Sequence, residues 1–265
     1  MERNDAGALE VHSITSRILK TRRTLRIWLP PGYRRRARHY PVLYLNDGQN
    51  LFEAATSFTG VEWEVDETAA RLIAERRIPP LVIVGIDNGG RRRAREYLPY
   101  SDATNPGGGP PEADRYLDFV QREVMPFVAR RFGVSHHSRY TGFGGSSYGA
   151  VVALHAVVSR RRLFGRLLLE SPALQVGNGQ LVLDASLVSR WPERVYIGVG
   201  TREARGEQRS AQVVDLALAL SIMMQDAGLG ADRLDVFVDE GAGHNEWAWA
   251  ARFPRALEFL YGSMP

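Results

Sequence analysis

Apolar residues along this chain fall into short runs whose internal spacing switches between two positions and three to four. Residues 11–19, 24–29, 42–45, 81–86, 140–143, 167–169, 195–199 and 234–238 read as strands, bounded by glycine, proline, asparagine or charged positions. Residues 62–75, 113–131, 147–158, 211–227 and 246–261 carry the helical spacing. After an opening pair of strands, strand and helix alternate. This predicts an α/β fold with a mostly parallel sheet of about eight strands, helices on both faces and right-handed crossovers. The unbroken run Leu81-Val82-Ile83-Val84 fits a central strand buried on both sides. Ligands bind beyond the carboxyl ends of the strands in such sheets, so chemistry is expected in the loops that follow them.

A chain of 265 residues suits one α/β domain, with residues 1–10 as a flexible leading segment. No internal repeat stands out. The glycine- and proline-rich stretch 105–111 reads as a long surface loop, and the interval 173–192 is too short for a separate lid domain. Lys and Arg total 34 against 30 Asp and Glu, and the arginine triplets at 34–36, 91–93 and 160–162 have no interleaved aromatics. They read as solvated faces, and no nucleic-acid partner is expected. The absence of cysteine excludes disulfides, thiolate catalysis and cysteine-based zinc sites. No apolar run approaches the roughly 20 residues of a membrane span, so no membrane association is expected. The first residues carry charge with no apolar region behind them, giving an expectation of a cytoplasmic protein, with a processed secreted form left open.

The chemistry is carried by Gly142-Phe143-Gly144-Gly145-Ser146-Ser147-Tyr148-Gly149-Ala150. A G-x-S-x-G match arises by chance in roughly one chain in seven of this glycine content, so its context decides. A serine at the top of a sharp strand-to-helix turn needs small residues two before and two after it. Ser147 has Gly145 and Gly149 there, whereas Ser146 meets Tyr148. A serine hydroxyl needs a histidine to accept its proton, and that histidine needs a carboxylate. His136 and His137 precede the fifth strand, His155 reads as a core residue of the following helix, and His12 and His39 lie near early strands. His244 remains, directly after the last strand. Glu203, after the seventh strand, is the favoured acid, with Glu207, Asp239 and Glu240 close by. The order serine, acid, histidine is that of α/β-hydrolases. Oxyanion donors are expected from the amides of Tyr148 and, in the loop after the third strand, of Gln49, with Gly48 allowing the backbone to present it. Phe52, Trp63, Tyr148 and Trp247 are candidates to line an acyl or aryl pocket, with core packing the competing reading. Arg91 to Arg95 are positioned to meet an anionic substrate or to be solvated surface.

Several segments together resemble one family: Tyr44 to Phe52, Val84 to Asn88 with Arg95-Glu96-Tyr97, Gly145 to Gly149, Glu170-Ser171-Pro172 and Gly243 to Glu246. From about Leu25 to Leu260 the chain is similar to the esterase D (putative-esterase) family of α/β-hydrolases. That family includes feruloyl and acetyl-xylan esterases, siderophore trilactone esterases, S-formylglutathione hydrolases and mycolyl transferases. The resemblance implies an α/β-hydrolase fold and a carboxylesterase without cofactor or metal, with Ser147 as nucleophile, His244 as base, Glu203 as acid, and Gln49 and Tyr148 forming the oxyanion hole. Phe52, Trp63 and Trp247 are the substrate-binding candidates, and the partner implied is a small-molecule or carbohydrate-linked ester. The chain departs from the family pattern at Tyr148, often methionine, and at Ala150, often glycine. The S-formylglutathione branch fits poorly with a chain lacking cysteine. Two other readings stand beside hydrolysis: an acyltransferase using the same triad with an alcohol acceptor, and a non-catalytic binding module.

Overall fold

In the computed structural model, which describes residues 6–35, 39–101, 109–160 and 162–262, eight strands form one sheet. They are β1 (Ala8–Ser16), β2 (Thr21–Leu29), β3 (Val42–Asn46), β4 (Val82–Ile86), β5 (Thr141–Ser146), β6 (Arg166–Glu170), β7 (Arg194–Arg202) and β8 (Leu234–Gly243). Their spatial order is β1-β2-β4-β3-β5-β6-β7-β8. β1 and β2 pair antiparallel as a hairpin, β2 runs antiparallel to β4, and the remaining pairs are parallel. Each expected strand is present, shifted at most a few residues. The largest shift is at the end of β8, which runs to Gly243, and at the start β1 already pairs at Ala8 with Leu29. The expected flexible segment therefore does not extend through residues 8–10, because the hairpin ladder holds them.

The helices are α1 (Val65–Ala74), α2 (Arg93–Tyr97), α3 (Ala113–Phe119), α4 (Met125–Phe132), α5 (Tyr148–Ser159), α6 (Gln180–Ala185), α7 (Glu207–Asp226) and α8 (Glu246–Tyr261). α3 and α4 form one rod through a wide π turn at Val120–Val124. Pro126 follows that turn and has no N–H to give to the helical ladder. Two cores lie on opposite faces of the sheet. Phe143, Leu167 and Ile197 pack with α3 to α7, whereas Leu43, Leu45, Leu168 and Tyr196 pack with α1 and α8. β3 to β5 are buried throughout, as strands covered on both faces must be.

The strand order places a topological switch at β3. The chain leaves β3 through α1 on one face, and leaves the neighbouring β5 through α5 on the other. A crevice opens where such connections diverge. The short α2 and α6 were not expected from spacing, since runs of five and six residues hold too little periodicity to read. Most of the glycine- and proline-rich stretch 105–111 lies outside the described residues, as do Arg36 and Arg161 of the arginine triplets.

Candidate active site

The crevice holds a cavity of about 660 Å³ whose wall includes Ser147 and His244. Ser147 stands between the last residue of β5 and the first of α5, with φ 55° and ψ −122°. That conformation costs a non-glycine residue on the order of 1–3 kcal/mol and persists only where the surroundings impose it. Here they do. The Ser147 N–H donates to the Glu170 carbonyl at 2.9 Å, and the Ser147 carbonyl accepts from Ala150 and Val151. The flanking glycines are required by close approach. A Cβ at Gly145 would lie 3.0 Å from that of Asn46 and one at Gly149 3.1 Å from it. Asn46 itself donates through Nδ2 to the Gly144 and Gly149 carbonyls and accepts from the Tyr116 hydroxyl, fixing both sides of the turn.

Glu203 and His244 meet through strand register. β7 and β8 shift register between Gly200 and Arg202, and Arg202 pairs with Gly243. The next residue on each strand is Glu203 on one side and His244 on the other. His244 Nδ1 and Glu203 Oε2 lie 2.6 Å apart. The glutamate side chain is fully buried, and its Oε1 accepts from Ser171 Oγ and the Gly200 N–H, both at 2.6 Å. Burial pushes its carboxyl pKa up, but the hydrogen bonds from His244, Ser171 and Gly200 outweigh it and hold the group below the usual glutamate value. Glu203 is thus kept as an anion. Ser171 is in turn braced by Trp249 Nε1 at 2.9 Å and Arg252 at 3.1 Å, so its hydroxyl hydrogen points to the glutamate. The Trp249 ring meets the His244 ring edge to face at 5.1 Å. The helix cap at this place is Asn245, whose Oδ1 accepts from Ala248 N–H, leaving the histidine for the cavity.

The third wall is the loop after β3. Asp47 adopts left-handed φ and ψ, and Gly48–Asn50 make one tight helical turn. Its first bond runs from Asn50 to the Asp47 carbonyl, so the Gln49 amide precedes the ladder, where helical turns leave N–H groups without an internal acceptor. Tyr148 is the first residue of α5, directly after Ser147. Gly48 is needed because a Cβ there would sit 2.6 Å from the Gly85 carbonyl carbon. The loop is pinned from the end of β4: Asn88 donates from Nδ2 to Asp47 and from its backbone to Gln49 Oε1.

Ser147, His244 and Gln49 line one cavity, and Glu203 lies behind His244. Of the other acid candidates, Asp239 pairs with Arg252 and Glu240 accepts from Thr201, while Glu207 opens α7. Phe52, Trp63 and Trp247 are not on the cavity wall, contrary to expectation. Phe52 (5% exposed) and Trp63 (2%) are core residues between α1 and α8, and Trp247 (68%) projects into a separate shallow groove on the outer side of α8. Core packing wins for the first two because the loop and α1 bury them against Trp249 and Phe253. The aromatic residues that do line the cavity are Trp249 and the 89% exposed Phe58. Arg91 to Arg93 are only in part a solvated face: Arg92 pairs with Glu96 and Glu112, and Arg93 reaches the cavity and Asp47. His155 is a core residue beside Asp114. Spacing offered no signal for Trp249, and it reached Asn46 and Arg93 only as members of the longer runs Tyr44 to Phe52 and Arg91 to Arg95. Among the described residues no three metal-binding side chains converge, and no helix is long and apolar enough to cross a membrane.

Known proteins resemble this chain in sequence and in fold. YbbA of Bacillus subtilis (strain 168), an uncharacterized protein, is 26% identical over 247 residues, or 91% of this chain and 93% of its own. An iron(III) enterobactin esterase of Dickeya dadantii is 32% identical over 219 residues, 76% of this chain, which spans 45% of that protein's length. Among solved structures, the siderophore hydrolase EstB of Aspergillus nidulans superposes with a TM-score of 0.75 at 20% identity, over 97% of this chain and 96% of its own. A ferulic acid esterase superposes at 0.72 and 17% identity, over 96% and 98%. These likenesses establish the α/β-hydrolase fold. The model of the family described as "Putative esterase" matches residues 16–260, and the chain belongs to that family of ester hydrolases.

Proposed function

We propose that the protein is a serine carboxylic-ester hydrolase working through an acyl-enzyme on short to medium, aryl or sugar esters. The observation that carries this reading is the His244–Glu203 pair at 2.6 Å opening onto the same cavity as a serine held at φ 55°. With Nδ1–H directed at a buried carboxylate, the Nε2 of His244 is left with its lone pair, as a general base requires. Ser147 Oγ attacks the ester carbonyl and its proton passes to His244. The oxyanion is held by the Gln49 and Tyr148 amides, and the imidazolium protonates the departing alkoxide. Water then attacks the acyl-serine as His244 takes its proton, and the imidazolium passes that proton to Ser147 Oγ as the carboxylic acid leaves, restoring the serine hydroxyl and the neutral base. The cavity volume falls within the usual range for small-molecule sites. Relatives named for siderophore and ferulic acid esters favour substrates of that size.

A series of p-nitrophenyl esters from acetate to decanoate, with methyl ferulate beside it, tests the reading on wild type and Ser147→Ala. Hydrolysis that disappears in the variant, together with fluorophosphonate labelling confined to Ser147, is the expected result. Equal rates in both proteins would end the assignment.

A further inference from the structure

The side chain of Arg93 does more than fill the cavity wall. Its Nε and Nη2 donate to Asp47 Oδ1 and Oδ2 at 2.7 and 2.8 Å, a two-point grip on a carboxylate that is itself buried. Asp47 is the left-handed residue from which the Gly48–Asn50 turn starts, and Tyr97 accepts its N–H at 3.2 Å. The guanidinium carbon of Arg93 also lies 5.4 Å from the Tyr97 ring centre and 5.3 Å from that of Tyr148, within reach of a cation–π contact with each. One planar cation therefore touches both segments whose amides are assigned to the oxyanion: the β3 loop through Asp47, and the start of α5 through Tyr148.

We infer that Arg93 is a positioning residue of the oxyanion hole, setting the separation of the Gln49 and Tyr148 amides by gripping Asp47 on one side and stacking on Tyr148 on the other. The inference rests on the serine-hydrolase reading above. A flexible cation would not do this as well as a guanidinium. Lysine can satisfy one carboxylate oxygen as a point charge, but it has neither the planar fork nor the face that stacks. Arg93 keeps 27% of its side chain accessible, so the clamp faces the substrate side of the site.

Misplaced oxyanion donors lose interactions made in the transition state, which lowers kcat and leaves substrate binding intact. The variants are Arg93→Lys, Arg93→Met, and Arg93→Met combined with Asp47→Asn, the last removing both charges so that none is left buried and unpaired. Rates on p-nitrophenyl acetate are measured with melting temperature and with inhibition by phenylboronic acid, which forms a tetrahedral anion on a nucleophilic serine. The expected result is a kcat lowered on the order of 10–10²-fold in all three, less than or equal to loss of a donor outright, with KM within about twofold. Boronate affinity falls by the same factor as kcat/KM, Lys rescues only part, and the paired variant melts near wild type while remaining slow. A kcat within twofold of wild type, a rise in KM with kcat intact, or an unchanged boronate affinity would overturn the inference. Ser147→Ala, run alongside, separates the two levels: if it keeps the esterase activity, the hydrolase reading has failed and the Arg93 result does not bear on an oxyanion.

Discussion

Replacing Glu203 by glutamine keeps its shape and reverses one of its hydrogen bonds. The carboxylate now accepts three: from His244 Nδ1 on Oε2, and from Ser171 Oγ and the Gly200 N–H on Oε1. Gly200 can only donate, and Ser171 is turned toward Glu203 by the donors Trp249 and Arg252 behind it. The glutamine oxygen must therefore take the Oε1 place, and its amide then faces His244. An amide there requires Nδ1 as acceptor, which puts the ring proton on Nε2 and removes the base. In serine proteases the matching acid-to-amide change lowers kcat about 10⁴-fold, equivalent to about 5.4 kcal/mol at 1.36 kcal/mol per decade. The same magnitude is expected here, in both the burst and the steady rate with p-nitrophenyl acetate, with the variant eluting and melting as a folded protein. Fluorophosphonate labelling of Ser147 should slow in proportion. A folded Glu203→Gln within tenfold of the wild-type kcat would refute the tautomer argument. Stability carries the opposite signature. Glu203 has a depressed folded pKa, so its ionised contribution is present above the unfolded glutamate value of about 4.3 and is lost as pH falls through the folded value. Acid melting curves of wild type should show that loss, and those of Glu203→Gln should lack it.

Gly48→Ala forces a Cβ to within 2.6 Å of the Gly85 carbonyl carbon. It should cost about 1–3 kcal/mol by overpacking and lower kcat as the oxyanion turn moves, read by melting temperature and esterase rate together. Phe58→Ala removes an exposed cavity-wall ring, so KM for p-nitrophenyl decanoate and methyl ferulate should rise while p-nitrophenyl acetate and melting temperature hold. Trp63→Ala opens a void beneath α1 and α8 and should destabilise by about 3–5 kcal/mol. Trp247→Ser, off the cavity and exposed, should change stability by no more than about 0.5 kcal/mol and leave KM for all esters alone.

Much of the architecture could be read from spacing because its strands are short, apolar and punctuated. β3 and β4 carry five consecutive buried residues each, a signal that survives any choice of boundary. Boundaries moved where pairing, not side-chain chemistry, decides them. β1 begins at Ala8 because Leu29 stands opposite, and β8 runs to Gly243 because β7 continues beside it. The candidate serine and histidine stood out for a different reason: each sits one residue past a strand, in a loop bearing glycine. Glu203 was legible only as one of several acids, since nothing in composition says which carboxylate a bulge will turn inward. The register between Arg202 and Gly243 makes that choice.

The aromatic candidates Phe52 and Trp63 missed the cavity for a physical reason. Phe52 and Trp63 flank the β3 loop in sequence, which suggests the cleft, but a loop proposed to present backbone amides to a substrate needs its own side chains anchored elsewhere. Leu51, Phe52 and Trp63 supply that anchor by entering the core under α1 and α8. From above, the polar grip of Asp47, Asn88 and Arg93 supplies the rest. The turn bearing Gln49 is thus held by apolar burial below and by charge-assisted bonds beside the cavity. This explains why its large residues are buried and its charged residues face the site, the reverse of what hydropathy alone suggests for a substrate pocket. It also accounts for Phe58 as the exception. Its backbone N–H is tied to Asn50 Oδ1 at 3.1 Å, so the ring projects from a fixed support and remains available to a ligand at the mouth of the cavity.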